Sequence, residues 1–208
     1  ASLAAMQDLG MLSMANNFDN EVEIIQSRTL LKKVVNALNL NITYTEKRTF
    51  GHPIQLYKNT PIQVWMNPDE ADKLPSPLQI QLDYTPDGKV QADALFTRNR
   101  KEETVSKHFD KLPGVLVTPV GTITFSLKDS TNIQEAHTIS ATIISPTAAA
   151  ADCKSRLSAE PVSKVTTIVR LNYNDTHIGR GTDFLNTLVA LYNRDANDDK
   201  NEVASRTA

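Results

Sequence analysis

Pro161-Val162-Ser163-Lys164-Val165-Thr166-Thr167-Ile168-Val169-Arg170-Leu171 leads into Asn174-Asp175-Thr176 and then Gly179-Arg180-Gly181-Thr182-Asp183-Phe184-Leu185-Asn186. The first run is rich in β-branched residues and predicts a strand, placed at Thr166–Tyr173 in the order of elements. The last opens a helix from about Gly179, roughly 28 residues long, or about 40 Å at 1.5 Å per residue. Its apolar positions are Phe184, Leu185, Leu188, Val189, Leu191 and Tyr192, and beyond Asn193 it is almost wholly polar. Phe184 and Leu188 are expected to fasten it to the sheet. An apolar face that stops halfway implies a helix that projects from the body or takes a partner on its outer half. With no Gly or Pro stop signal before Ala208, the chain reads as an excised piece of a longer protein.

Upstream, the clearest local pattern begins at Asn20. Val22, Ile24, Ile25, Arg28, Leu31, Val34, Val35 and Leu38 recur at three- and four-residue steps, one face of a helix. Asp19 or Asn20 caps it, and Glu21 and Glu23 suit its positive first turn. Before it, residues 1–19 form a weakly amphipathic lead-in. After it, Ile42–Thr45, Gln55–Tyr57, Gln63–Met66, Leu78–Tyr84, Lys89–Phe96, Val115–Thr118, Thr122–Leu127 and Thr138–Ile144 have strand character, with turns at Gly51-His52-Pro53, Asn67-Pro68-Asp69 and Pro119–Gly121. Thr85-Pro86-Asp87-Gly88, between two alternating runs, predicts a hairpin. Ser145-Pro146 starts a helix that ends near Leu157: a cap, a proline in the first turn, then an alanine run. The expected fold is α+β: a single domain over residues 1–208, with a mixed, mostly antiparallel sheet packed by helices and a long C-terminal helix projecting from it.

The 208 residues, 40% hydrophobic and 22% charged, suffice for a sizeable core. A net charge of −2 gives no footprint for nucleic acid. No run approaches the roughly 18 apolar residues of a membrane span. Cys153 is the one cysteine, so neither an internal disulfide nor a cysteine metal site is expected. The sequons Asn41-Ile42-Thr43 and Asn174-Asp175-Thr176 occur at chance frequency.

Residues able to carry chemistry are scattered. His52, His108, His137 and His177 stand singly, without partners at metal-ligand spacing. His177 is placed at the mouth of the last helix. Asp195, Asn197 and Asp199 suggest a calcium loop, but Lys200 stands where such a loop needs Gly and Arg206 where it needs Glu, which favours a solvated helix surface. Gly179-Arg180-Gly181 lacks the Lys-Ser/Thr of a phosphate loop and suits close packing of a helix start. Arg98-Asn99-Arg100-Lys101-Glu102-Glu103 is read as a mixed-charge loop between strands. Trp65 and Tyr57 are able to stack on a sugar, with a core position preferred for the lone Trp. No nucleophile elbow is present. Catalytic, cofactor-binding and metal residues are all set at none, and no enzyme activity is expected.

Two segments carry a resemblance. Glu21-Val22-Glu23-Ile24-Ile25-Gln26-Ser27-Arg28-Thr29-Leu30-Leu31, followed by Val34-Val35-Asn36-Ala37-Leu38-Asn39-Leu40, resembles the first periplasmic motif of polysaccharide co-polymerases. These are the Wzz-type chain-length determinants and the related bacterial tyrosine autokinases of exopolysaccharide export. Arg180-Gly181-Thr182-Asp183-Phe184-Leu185-Asn186 with Tyr192-Asn193 resembles the second motif, and Pro161–Val169 the segment before it. His177-Ile178 stands where the family often has a proline.

The resemblance implies a periplasmic scaffold domain of an inner-membrane protein, flanked by transmembrane helices outside this chain. Such proteins associate into rings and regulate the length and export of capsular polysaccharide or exopolysaccharide. The partners it implies are other copies, the polysaccharide polymerase, export proteins and the nascent polysaccharide. The kinase subclass adds a cytoplasmic ATP-binding domain. The alternative is a stand-alone carbohydrate-binding or adhesive module, with a hydrolase third, resting only on carboxylates among the 24 acidic residues.

Overall fold

A computed structural model describes residues 19–47, 52–128, 137–162 and 168–207. The lead-in before residue 19, the start of the turn at Gly51 and the middle of the expected strand Pro161–Leu171 lie outside these residues. The fold is α+β, and the described strand pairs are all antiparallel. Two compact units are formed, one from Asn39–Ala149 and the other from the chain on either side of it.

In the central unit, β1 (Ile42–Glu46), β2 (Ile54–Leu56), β4 (Leu78–Tyr84), β5 (Val90–Arg98), β6 (Lys101–Phe109) and β9 (His137–Ile143) form a six-stranded sheet in the order β2-β1-β9-β4-β5-β6. A second sheet has the order β3-β8-β7, from β3 (Ile62–Met66), β7 (Gly114–Thr118) and β8 (Gly121–Leu127). Period-2 alternation builds the core. Leu78, Ile80, Leu82 and Tyr84 point inward from β4, and Gln79 and Gln81 point out. The register sets small against large: Ile80 lies between Ala94 of β5 and Ala141 of β9, and Leu82 between Ala92 and Ile139. Each buried Leu or Ile contributes about 1.5–3 kcal/mol relative to exposure.

Tyr44 of β1 stitches the two sheets together. Its hydroxyl donates to the Val64 carbonyl of β3 at 3.2 Å and accepts from the Val64 N–H at 2.9 Å. Burial pushes that phenol above its ordinary range, with the Val64 backbone bond opposing. Gly114 is required by close approach, because a Cβ there would lie 2.5 Å from the Phe109 ring. Phe109 in turn packs against Phe125 of β8.

The hairpin at Thr85–Gly88 forms as expected. Gly88 takes a φ of +87°, and its N–H donates to the Thr85 carbonyl. The Arg98–Glu103 loop does not form: only Asn99 and Arg100 turn, both at positive φ, and β6 starts at Lys101. β6 is an edge strand exposed along most of its length, so its charged residues hide the alternation and blunt the edge. The turn at Asn67-Pro68 is the cap of a short helix, α2 (Pro68–Ala71), with the Asn67 side chain accepting from the Asp69 N–H. α3 (Pro146–Arg156) follows the expected signals, with the Ser145 hydroxyl accepting from the Ala148 N–H. Asp72 accepts from both Ser145 and the Thr147 N–H.

In the other unit, the helix expected from Asn20 to Leu38 is broken. Residues 19–25 are helical, and α1 (Arg28–Leu38) starts afresh. The Ser27 hydroxyl accepts from the Leu30 N–H at 3.2 Å, so Ser27 is a helix cap inside an otherwise continuous apolar pattern. The strand read over Pro161–Leu171 is corrected, whereas its narrower placement at Thr166–Tyr173 meets β11 over the described residues. A hairpin forms, with β10 (Leu157–Pro161) paired to β11 (Val169–Tyr173). α4 (Ile178–Thr207) is the long helix. Its buried stripe is narrower than the expected face: Gly181, Phe184 and Leu188 are buried, and Val189 is 43% exposed. Leu30, Leu31, Val34 and Val35 of α1 are buried, and α1 packs along α4.

Candidate functional site

The densest polar cluster lies where β11 turns into α4. Asp175 has a side chain only 2% exposed. Its carboxylate accepts from the Arg180 guanidinium at 2.6 and 2.9 Å, from the His177 N–H at 2.8 Å and from Arg156 at 3.4 Å. Burial alone pushes this carboxyl up; the Arg180 bonds, with the His177 N–H and Arg156, outweigh it and hold the group below its usual range. His177 Nδ1 accepts from the Arg180 N–H at 3.2 Å and satisfies one of the open donors of the helix start. The expectation for His177 is met.

Tyr173 joins the cluster from β11. Its hydroxyl donates to Cys153 Sγ at 3.4 Å, Arg156 lies 5.0 Å from its ring centroid, and its ring stacks on Phe184 at 4.0 Å. Gly181 makes this approach possible: a Cβ there would already touch the Asp175 Cβ at 3.3 Å and the Tyr173 ring at 3.7 Å. Close packing at a helix start is therefore what the Gly-Arg-Gly sequence provides. Burial pushes the Cys153 thiol up, with Tyr173 opposing, so it stays protonated and a poor nucleophile near neutral pH. The Tyr173 phenol is pushed far above its ordinary range, first by burial and then by the Cys153 contact. These groups fix the head of α4, although the buried Arg156 Nε has no hydrogen-bond partner.

The remaining candidates stay apart. His137 lies on β9, with Nδ1 2.7 Å from Glu46, and stacks on Tyr84; His108 is 3.5 Å from Asp110; His52 is exposed. Among the described residues no group of His, Cys, Asp and Glu is arranged to hold a metal ion. Asp195 lies within α4, where it meets Lys33 of α1 at 2.6 Å, and residues 193–200 are helical rather than a loop. The Tyr192 hydroxyl donates to Glu21. Asn41, the first sequon, is buried, with its amide donating to the Ile144 carbonyl at 3.3 Å.

Trp65 is a correction. The core position preferred for it is wrong: it is 47% exposed on the outward face of β3, in register with Thr124 of β8, which in turn pairs with Val115 of β7. The signal was in the alternation, since Ile62, Val64 and Met66 take the inward positions of that strand. Tyr57 is half-buried just after β2, with Lys58 Nζ 5.8 Å from its ring centroid. The Asp175–Arg180–Arg156 cluster was also missed. Its local sign was Asp175 two residues before His177, the spacing of an Asx turn at a helix start.

Among the described residues, no helix is long and apolar enough to cross a membrane. The chain matches no protein-family model and no curated protein.

Proposed function

We propose that the chain is a periplasmic scaffold domain of a polysaccharide co-polymerase, part of an inner-membrane protein that sets the chain length of an exported polysaccharide. The observation that carries this reading is the pairing of α1 with α4. The two segments that resemble the family motifs, the first as far as Leu38 and the second over Arg180–Asn193, are far apart in sequence but belong to one compact unit. They are tied there by Lys33 to Asp195 and by Tyr192 to Glu21. The buried cluster at Asp175 anchors the start of α4. Exposed residues on its outer part, Asn197, Asp198 and Asn201, leave that end for neighbouring copies. In this reading the domain does no catalysis. It works by self-association into a ring beside the polymerase and export proteins, and a kinase domain elsewhere in the parent is compatible with it.

The test is the length profile of surface polysaccharide, on a gel, from cells with and without the parent gene. Loss of the gene is expected to scatter or shift the modal length, and reintroducing it to restore the mode. An unchanged profile with polymer still exported overturns the proposal. The second reading, a carbohydrate-binding or adhesive module, is favoured by the outward position of Trp65 and would then be pursued on glycan arrays.

A further inference from the structure

The outward face of the β3-β8-β7 sheet carries Trp65 and Gln63 on one flank, a row of hydroxyls from Thr122, Thr124 and Ser126 in the middle, and Val115 and Val117 on the other flank. Trp65 is 47% and Val117 70% exposed. None of these seven outward positions is charged, in a chain where 22% of residues are. At the rim, Lys107 Nζ donates to the Val115 carbonyl at 2.8 Å, which covers part of the β7 edge. At ordinary strand spacing and rise the backbone under this face spans about 10 Å by 14 Å. A stable protein interface buries about 800 Å² of accessible surface per partner, from roughly 20–30 residues, more than seven side chains on three short strands supply.

Its chemistry fits a smaller ligand. An exposed indole offers a flat apolar surface for the C–H face of a pyranose ring, and the neighbouring hydroxyls and amide donate to and accept from sugar hydroxyls. The absence of charge across the face matches a ligand without charge. We infer that this face, centred on Trp65, binds an uncharged stretch of a glycan chain, roughly two or three sugar rings long at these dimensions. The inference rests on the proposed function only for the source of the glycan, the exported polymer. It adds a direct contact between that polymer and a defined surface.

Trp65 is the single tryptophan of the chain, so its emission reports this face alone. The purified chain is titrated with surface polysaccharide extracted from cells carrying the parent gene, at low and at high salt. A saturable blue shift that survives 0.5 M salt, where the Debye length is down to roughly 4–5 Å, is expected. By calorimetry, Trp65→Ala and Thr124→Val, checked for native circular dichroism, should each weaken binding, the former by about tenfold or more, equivalent to about 1.4 kcal/mol. No blue shift, a shift abolished by salt, or unchanged affinity in Trp65→Ala overturns the inference. So does an emission change that tracks self-association in sedimentation, which would assign the face to a second copy. The proposed function has its own readout: a length profile that scatters on gene deletion while the purified chain fails to bind polymer leaves the scaffold standing and removes only the glycan site.

Discussion

Replacing Asp175 by Asn removes one negative charge from beneath the start of α4 and changes little else. The carboxylate is 2% exposed and faces Arg180, itself 12% exposed, at 2.6 Å. Removing one partner of a buried pair costs about 3–5 kcal/mol where the other charge is left uncompensated, and Arg180 retains its Thr176 hydroxyl. Asn keeps an oxygen for the His177 N–H and Arg180 keeps some water, which places the cost near the lower end, about 3 kcal/mol. With a urea slope of about 2 kcal/mol/M, the midpoint should fall by roughly 1.5 M. A domain with 5–15 kcal/mol of stability still folds after that loss, so the variant is measurable. The assay is urea unfolding followed by circular dichroism at 222 nm, which weights the helices. The pH dependence has a definite sign. The native carboxyl lies below its ordinary value of about 3.9, so near that pH the unfolded chain binds more protons than the native one. The stability it confers is full above about pH 4 and is lost as pH falls through the depressed native value. The gap between wild type and Asp175→Asn should therefore narrow on acidification. A midpoint within about 0.3 M of wild type at pH 7, or a gap that holds constant into acid, would refute this account of the cluster.

Other perturbations test the packing independently. Phe184→Ala deletes a fully buried ring stacked on Tyr173 and should cost about 3–5 kcal/mol; an unchanged melting temperature would show that the ring does not anchor α4. Tyr44→Phe strips both hydrogen bonds from Val64, which is 4% exposed, and should cost about 1–3 kcal/mol in urea unfolding; a neutral result would mean that the two sheets of the central unit do not depend on the stitch. Burial raises the phenols of Tyr44, Tyr84 and Tyr173, so the native state holds protons that the unfolded chain releases above about pH 10. Stability should be full below that pH and decline as pH rises through the native values, and the tyrosinate absorbance of these three of the five tyrosines should appear together with loss of circular dichroism. Complete ionisation with the fold intact would contradict it.

Where one physical cause dominated, the chain was legible. Period-2 burial placed β4, β5, β7 and β8, the Ser145-Pro146 cap placed α3, and the apolar stripe at Phe184 and Leu188 placed α4. Legibility failed where two causes competed. Ser27 is compatible with a helix interior by spacing, yet its hydroxyl serves better as a cap, and apolar periodicity on both sides concealed the break. β6 carries Lys101, Glu102, Glu103, Lys107 and His108 because an edge strand is selected against pairing with other chains, and that composition resembles a loop. β10 follows directly on Arg156, the last residue of α3, so no turn residue marks the change from helix to strand.

The candidate sites failed to show for a different reason. Asp175, Arg156, Tyr173 and Cys153 come from a helix, a strand and a loop, and only the β10-β11 pairing brings Arg156 beside Asp175. The same pairing sets Leu157 opposite Tyr173 and so fixes the ring on which Phe184 stacks. A sequence scan weighs each of these residues alone, and each alone is ordinary. Trp65 is the converse case. A solitary tryptophan is presumed buried because large aromatic side chains bury well on average. Its neighbours contradict that presumption at once: Val64 and Met66 already fill the inward side, and a strand has only two faces. The position of a residue within the alternation therefore outranks its average behaviour. For the same reason Trp65, rather than any of the histidines or the cysteine, marks the surface of the described residues on which a ligand is to be sought.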